Sequence, residues 1–434
     1  HAGHFDVQDH DVDVVAAQGV DGHLAVADRR HDPDVGLLLE QPRQQTADDR
    51  RVVDDHHAKR VFDCRPFRPR PCRRRLRRYD VDVVILDIEM PRMDGLTALP
   101  MLLEARPDVQ VIVASTLTEK NAEIAIKALD SGAADCLTKP TSVHGLGTME
   151  AFSRQLVDKV IALGYAHREH PRPAISGPPP RRIAPSPDYR PSARPADRQY
   201  RPSVRPGRPR VRVVERTAGD AARLVTTLPA KEIVLRAAAK VRPEVIAVGS
   251  STGGPQALFQ VMRDLGPNLS VPIMITQHMP PTFTKILAEH ITKASGIPCK
   301  EAEDRELLEK GRIYVAPGDY HMVLRVEDDR RVIRLEQGPA VNFCRPAVDP
   351  MLQSIVDVFG PRVLALILTG MGQDGVGGAQ AVADCGGTVI AQDELTSVVW
   401  GMPGAVATRG LCSAVLPIDQ IGRHLREFVM RSAA

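Results

Sequence analysis

An apolar run that empties into a glycine-rich turn, VIAVGSSTGGP at residues 245–255, constrains this chain more than any other segment. Its uncharged residues fit a strand buried on both faces, and Gly-Gly-Pro opens a helix. A strand–turn–helix of this kind belongs to a parallel α/β sheet, whose ligands gather beyond the carboxyl ends of the strands. The turn lifts one hydroxyl above the sheet among unpaired backbone N–H groups. Such a hydroxyl is either a nucleophile or the neighbour of a bound phosphate. The choice depends on whether a base and a carboxylate arrive from other strand ends. TQHMPP at residues 276–281 and LTGMGQDG at residues 368–375 supply both.

The surrounding region, residues 243–430, alternates strand-like and helix-like runs. VIAVGS precedes a helix from Pro255, and VPIMITQH precedes TFTKILAEHITKA. RIYVAPGDYHMVLRVE and RRVIRLEQ read as a hairpin, and AVDPMLQSIVDVFG as a helix. VLALILTGMG, GVGGAQAVADCGG, TVIAQD and IDQIGRHLREFVM then complete the pattern as strand, helix, strand and helix. Continuous apolar strands with one antiparallel excursion predict a doubly wound, mostly parallel-sheet domain over residues 242–432.

Ser251 lies where helix-start N–H groups offer donors for an oxyanion. His278 ends its strand where an imidazole can take the Ser251 proton. Asp374 sits in a turn from which its carboxylate can fix the imidazole tautomer and stabilise the imidazolium. Taken singly these signals are weak. Gly-rich turns before helices more often bind phosphate, Ser250 competes with Ser251, and an isolated His or turn Asp is usually structural. His290 and His321 keep that structural reading. Three strand-end motifs together favour Ser–His–Asp chemistry. The alternative is a non-catalytic, phosphate- or nucleotide-binding output domain with no hydrolysis.

Upstream, residues 79–165 repeat the alternation. VDVVILD ends in Asp87, VQVIVAST in Ser115 and Thr116, and ADCLTKPT in Lys139-Pro140. Helical runs lie between them, and TMEAFSRQLVDKVIALG closes the segment. A carboxylate, a hydroxyl and an ammonium at neighbouring strand ends suit a phosphorylated Asp. The Lys and a divalent cation neutralise phosphoryl oxygens while the hydroxyl responds to the added charge.

Residues 1–78 differ in kind, with no Ile, Met, Ser, Asn, Trp or Tyr and half of the fourteen His. Their residue types have mostly G- or C-initial codons, as an off-frame translation of a GC-rich gene would give. A low-complexity, partly disordered tail is the alternative. Residues 166–241 form a Pro/Arg-rich tether. Between His167 and Arg212 lie twelve Pro, twelve Arg and three acidic residues, a local charge of +9 against +3 for the whole chain. The remainder is therefore −6 (+3 minus +9), so the basic excess belongs to a solvated spacer rather than to a nucleic-acid-binding face. ARLVTTLPAKEIVLRAAAK, residues 222–240, has some helical periodicity. No apolar run has the length of a membrane span. Seven Cys without C-x-x-C spacing suit reduced thiols in a cytoplasmic protein and give a zinc site no support.

Longer motifs carry a resemblance. GSSTGG, ITQHMPP, APGDYHM, RPAVD, ILTGMGQDG and VVWGMPGAV, in this order, resemble the chemotaxis protein-glutamate methylesterase family, CheB. DIEMPRMDG with downstream STLT and TKP resembles the response-regulator receiver domain that precedes the esterase in that family. The resemblance implies an α/β chain with a flavodoxin-like receiver, incomplete here, followed by the catalytic domain. It implies Ser251 as nucleophile, His278 as general base and Asp374 as orienting acid, with Thr252 and the Met371 backbone N–H stabilising an oxyanion or positioning substrate. It further implies phosphorylation of Asp87 by a chemotaxis histidine kinase, with Ser115 as switch hydroxyl and Lys139 beside the phosphoryl group. The substrates would be methyl-accepting chemotaxis receptors, demethylated at glutamate methyl esters with release of methanol and deamidated at specific glutamines. Catalysis would need no cofactor and no membrane insertion, and the receiver would cover the active site until phosphorylated. Receivers hold Mg²⁺ with an acidic pair ending their first strand. Asp54-Asp55 lies too close to Asp87 for the intervening elements, so the first two strand–helix units are expected to be absent and the cation site incomplete.

Overall fold

The computed structural model describes residues 81–90, 93–116, 118–139, 146–169, 233–267 and 270–430, with the short segments 14–17 and 62–63 and Leu76. Most of residues 1–78, the Asp54-Asp55 pair and nearly all of the Pro/Arg-rich tether lie outside the described residues.

In the N-terminal region the strands are β1 (Val14–Ala17), β2 (Phe62–Asp63), β3 (Val83–Asp87), β4 (Gln110–Ser115) and β5 (Asp135–Thr138). They form one parallel sheet in the order β2-β1-β3-β4-β5. Helices α1 (Gly95–Ala105) and α2 (Glu119–Asp130) begin on side-chain caps, Asp94 accepting from Thr97 N at 2.7 Å and Thr118 from Asn121 N at 3.3 Å. Helix α3 (Leu146–Glu169) closes the region.

One expectation changes here. The sequence gives no sign of the first two strands, yet Val14–Ala17 pairs with Val83–Leu86 and Phe62–Asp63 pairs outside it. Without them β3 would present an edge of unpaired backbone groups, and a short β-branched run such as VVAA satisfies it whatever surrounds it in sequence.

The C-terminal region holds β6 (Val245–Ser250), α4 (Gly254–Leu265), β7 (Ile273–Gln277), α5 (Phe283–Ser295), β8 (Cys299–Glu301), β9 (Glu306–Leu307) and β10 (Ile313–Val315). After these come β11 (His321–Glu327), β12 (Arg330–Glu336), α6 (Val348–Phe359), β13 (Val363–Ile367), α7 (Val376–Asp384), β14 (Thr388–Gln392), α8 (Gly401–Ala407), β15 (Ala414–Leu416) and α9 (Ile418–Met430). A seven-stranded parallel sheet runs β15-β14-β13-β6-β7-β10-β8. The hairpin is β11–β12, with β9 beside β12. RIYV, read with that hairpin in the sequence, is instead β10 of the parallel sheet, pairing with β7 and β8.

Alternate residues of the central strands feed two cores, as their period of two requires. Ile246, Val248, Ile273, Ile275, Leu364 and Leu366 face α4, α5 and α9. Val245, Ala247, Met274, Val363, Ala365 and Ile367 face α6, α7 and α8. Residues 233–240, read as helical, are extended: Arg236 N donates to Cys412 O at 2.8 Å and Ala239 N to Thr388 Oγ1 at 3.0 Å. No helix of the described residues is long and apolar enough to cross a membrane.

Candidate active site at the switch point of the large sheet

From β6 the chain proceeds to β7 on one side, while β13 is followed by β14 and β15 on the other, so the winding reverses between β6 and β13. The crevice beyond strand ends at such a reversal is where α/β sheets bind ligands. Three adjacent strands, β13, β6 and β7, deliver Asp374, Ser251 and His278 there. Ser251 N donates to Thr369 O at 3.0 Å and His278 N to Ser250 O at 3.1 Å, carrying the strand register into the turns.

The turn after β6 needs glycine for space. Gly253 has φ +76°, and a Cβ there would lie 2.3 Å from Val398 Cγ2. A Cβ on Gly370 would meet Ser251 Cβ at 2.8 Å and Met402 Sδ at 2.5 Å. The two serines differ in their partners. Ser250 is fully buried and its hydroxyl donates to Gln277 Oε1 at 2.7 Å, whereas Ser251 is partly exposed.

His278 Nε2 and Asp374 Oδ2 are 2.8 Å apart. Asp374 is 2 % exposed and also accepts from Val348 N at 2.6 Å, Asn342 Nδ2 at 2.9 Å and Gly375 N at 3.0 Å. Burial works against its charge, but the bond from His278 and these donors hold its carboxyl below the usual range. With the carboxylate ionised, Nε2 carries a proton and donates. On the imidazole, burial disfavours the cation, yet the contacts with Asp374 and then Cys344 outweigh it and raise the pKa to about 9. Nδ1 of His278 faces Cys344 Sγ at 3.4 Å, and no hydrogen bond joins Ser251 Oγ to His278.

Thr252 is 1 % exposed, and its hydroxyl donates to Asp135 Oδ2 of β5 at 2.7 Å. Lys159 of α3 pairs with the same carboxylate, and Gln256 Nε2 donates to Ala133 O. Val399 shares one apolar cluster with Phe152, Leu156, Val160 and Leu163 of α3, and Met371 and Val398 pack against that cluster. The Met371 backbone N–H donates to no group among the described residues. The N-terminal region thus closes over the catalytic strand ends.

Asp87 and Lys139 also meet as the sequence implies, with Nζ 2.6 Å from Oδ2. Ser115 ends the neighbouring strand, buried, its hydroxyl donating to Thr116 O at 3.1 Å. Glu89, the nearby acid, accepts from Asn121 Nδ2 at 2.7 Å. Among the described residues no cluster of three His, Cys, Asp or Glu is arranged for a metal ion. Asn342, Asp349 and Cys344 escaped the sequence reading. His321 has both ring nitrogens engaged, by Ala347 N at 3.2 Å and Pro339 O at 3.0 Å, so it remains structural. His290 lies against the Phe259 ring, away from the strand ends.

With this geometry in place, comparison with known proteins adds a lineage. Residues 246–425 match the family model of the CheB methylesterase, and residues 68–149 match the response regulator receiver domain. A protein-glutamate methylesterase/protein-glutamine glutaminase of Rhodospirillum rubrum is 49% identical over 360 residues, covering 82% of this chain and 84% of its own length. The chain belongs to the CheB methylesterase family. A second protein-glutamate methylesterase/protein-glutamine glutaminase, from Azospirillum brasilense, is 49% identical over 372 residues, covering 82% of this chain and 83% of its own. The crystal structure of the Thermotoga maritima CheB methylesterase catalytic domain is 42% identical, covers 43% of this chain and 99% of that one, and has a TM-score of 0.42.

Proposed function

We propose that this CheB-family chain hydrolyses glutamate methyl esters on methyl-accepting chemotaxis receptors and deamidates specific receptor glutamines, using Ser251, His278 and Asp374. It is a protein-glutamate methylesterase of the chemotaxis pathway. The observation that carries the site assignment is the Asp374–His278 pair beside a partly exposed Ser251, all on adjacent ends of one sheet.

Ser251 Oγ attacks the ester carbonyl while His278 takes its proton, so negative charge moves to the carbonyl oxygen. N–H groups at the turn before α4 and the N–H of Met371 are the donors assigned to that oxyanion. Collapse of the intermediate expels the methoxy group, which leaves as methanol with the proton from His278. Water attacks the glutamyl–serine ester by the same route in reverse and frees Ser251. A glutamine amide follows the same path and releases ammonia. Asp374 keeps Nε2 protonated, leaving Nδ1 as the basic nitrogen.

Control is assigned to the receiver. Asp87 accepts a phosphoryl group from a chemotaxis histidine kinase, with Lys139 neutralising its oxygens and Ser115 responding to the new charge. The hold of Asp135 on Thr252 gives that switch something to release. The chain works in the cytoplasm, where receptor methylation helices are exposed.

Methanol release from methylated receptor membranes tests this. Wild-type protein should release methanol, and Ser251→Ala should lose activity by about 10³-fold or more. Methanol release by Ser251→Ala at the wild-type rate would overturn the assignment.

A further inference from the structure

Both ring nitrogens of His278 are engaged. Asp374 occupies Nε2 at 2.8 Å, and the Cys344 thiol stands 3.4 Å from Nδ1, the nitrogen that hydrolysis requires. Cys344 is not placed there by a regular element. It ends a tight turn in the loop between β12 and α6, closed by Val341 N to Cys344 O at 3.0 Å and Cys344 N to Val341 O at 2.9 Å. The two residues inside the turn, Asn342 and Phe343, have φ of 52° and 62°, a left-handed backbone that L-residues adopt at a cost. From the same turn Asn342 Nδ2 donates to Asp374 Oδ1 at 2.9 Å and to Asp349 Oδ2 at 2.9 Å. One strained four-residue turn thus supplies a thiol to the imidazole and an amide to its carboxylate partner.

We infer that Cys344 is a positioning residue of the esterase reaction: its thiol holds Nδ1 of His278 in the resting arrangement and yields that nitrogen to Ser251 during turnover. This rests on His278 being the base. The thiol forms and breaks no covalent bond. With the ring protonated, Nδ1–H donates to the Cys344 sulfur; the ring gives up that proton before Nδ1 takes the one from Ser251, which then leaves with methanol.

The charged and titratable groups around the imidazole fix the direction of the effect. Asp374 arrives from the turn after β13 and Cys344 from the loop before α6, and both favour the protonated ring. Asp349, at the start of α6, bears on Asp374 through Asn342. From the receiver, Asp135 and Lys159 reach Thr252, one residue from Ser251. Removing the thiol removes one of the two influences that hold the proton on the ring. A general base acts only when deprotonated, so the acid limb of the pH profile moves to lower pH.

The test is the pH dependence of kcat/KM for methanol release from methylated receptor membranes, using the full chain and its Cys344→Ala and Cys344→Ser variants. Cys344→Ala should shift the acid limb to lower pH, with release on the acid side rising several-fold relative to its own plateau. Cys344→Ser, which keeps a hydrogen-bond acceptor, should restore part of the wild-type profile. An acid limb identical in all three proteins, or an equal loss at every pH, would overturn the inference. Complete loss in Cys344→Ala beside an active Ser251→Ala would instead make the thiol the nucleophile and sink the underlying reading as well. Titration of the His278 ring by NMR, in full-length wild-type and Cys344→Ala protein labelled at histidine, makes the comparison without turnover. Identical titration in the two would also overturn it.

Discussion

At Asp374 a buried carboxylate collects hydrogen bonds from His278, Val348, Asn342 and Gly375, more than any surface turn residue would need. That density of donors keeps it ionised and fixes which imidazole nitrogen carries the proton. Asp374→Asn can present an NH₂ group to Nε2 and stabilise the wrong tautomer, so kcat should fall by about 10⁴-fold with the fold retained. Methanol release beside circular dichroism checks both halves. The same pair predicts a pH dependence of stability. The folded pKa of His278 stands at about 9 against an ordinary 6.5. Its contribution is therefore complete below about pH 6.5 and is lost as pH rises through about 9. Denaturant unfolding across that window should show wild-type stability falling, and Asp374→Asn falling less. The strand-end positions of Ser251, His278 and Asp374 were legible in the sequence because each closes an apolar run or follows one by a glycine-rich turn. Asn342 and Cys344 were not, because they sit in an irregular, left-handed turn whose residues share no period with a strand or helix.

Strands β6, β7 and β13 work as a rigid comb that sets the spacing of the proposed catalytic groups. Ile246 of β6 is fully buried between helices, and Ile246→Ala should cost about 2–5 kcal/mol by losing buried surface and leaving a cavity. Chemical denaturation measures it. Gly370, in the turn after β13, poses a different constraint, because a methyl group there presses on Ser251. Gly370→Ala should therefore reduce methanol release far more than it reduces stability, and similar losses in both would show that Ser251 is not displaced. The long apolar strands were legible, since five or six consecutive buried residues leave little ambiguity. Short elements were not: β15 spans three half-buried residues and α8 seven, too few for a period to emerge. Residues 233–240 carry helical periodicity, yet Arg236 and Ala239 spend their backbone N–H groups on Cys412 and Thr388, so tertiary pairing overrides it.

Over the whole molecule, the receiver and the esterase share buried contacts at the catalytic strand ends. Thr252 is held by Asp135, itself paired with Lys159, and the α3 face covers Met371, Val398 and Val399. The proposed control implies that this cover moves before a receptor helix reaches Ser251. Asp135→Asn weakens the grip on Thr252 while preserving shape, so basal methanol release should rise several-fold. An unchanged rate would mean that this contact does not limit access. The charge distribution, with +9 confined to residues 167–212, marked the spacer, but which surfaces of the receiver would meet the esterase had no signature in the sequence.

The central claim is that Ser251 and His278 act as one device. A double-mutant comparison of methanol release tests it most directly: Ser251→Ala, His278→Gln and the double variant, each as the full chain on methylated receptor membranes. The double variant should be no slower than either single variant, because removing one member already disables the other. Losses that multiply in the double variant, or a single variant that keeps the wild-type rate, would contradict it.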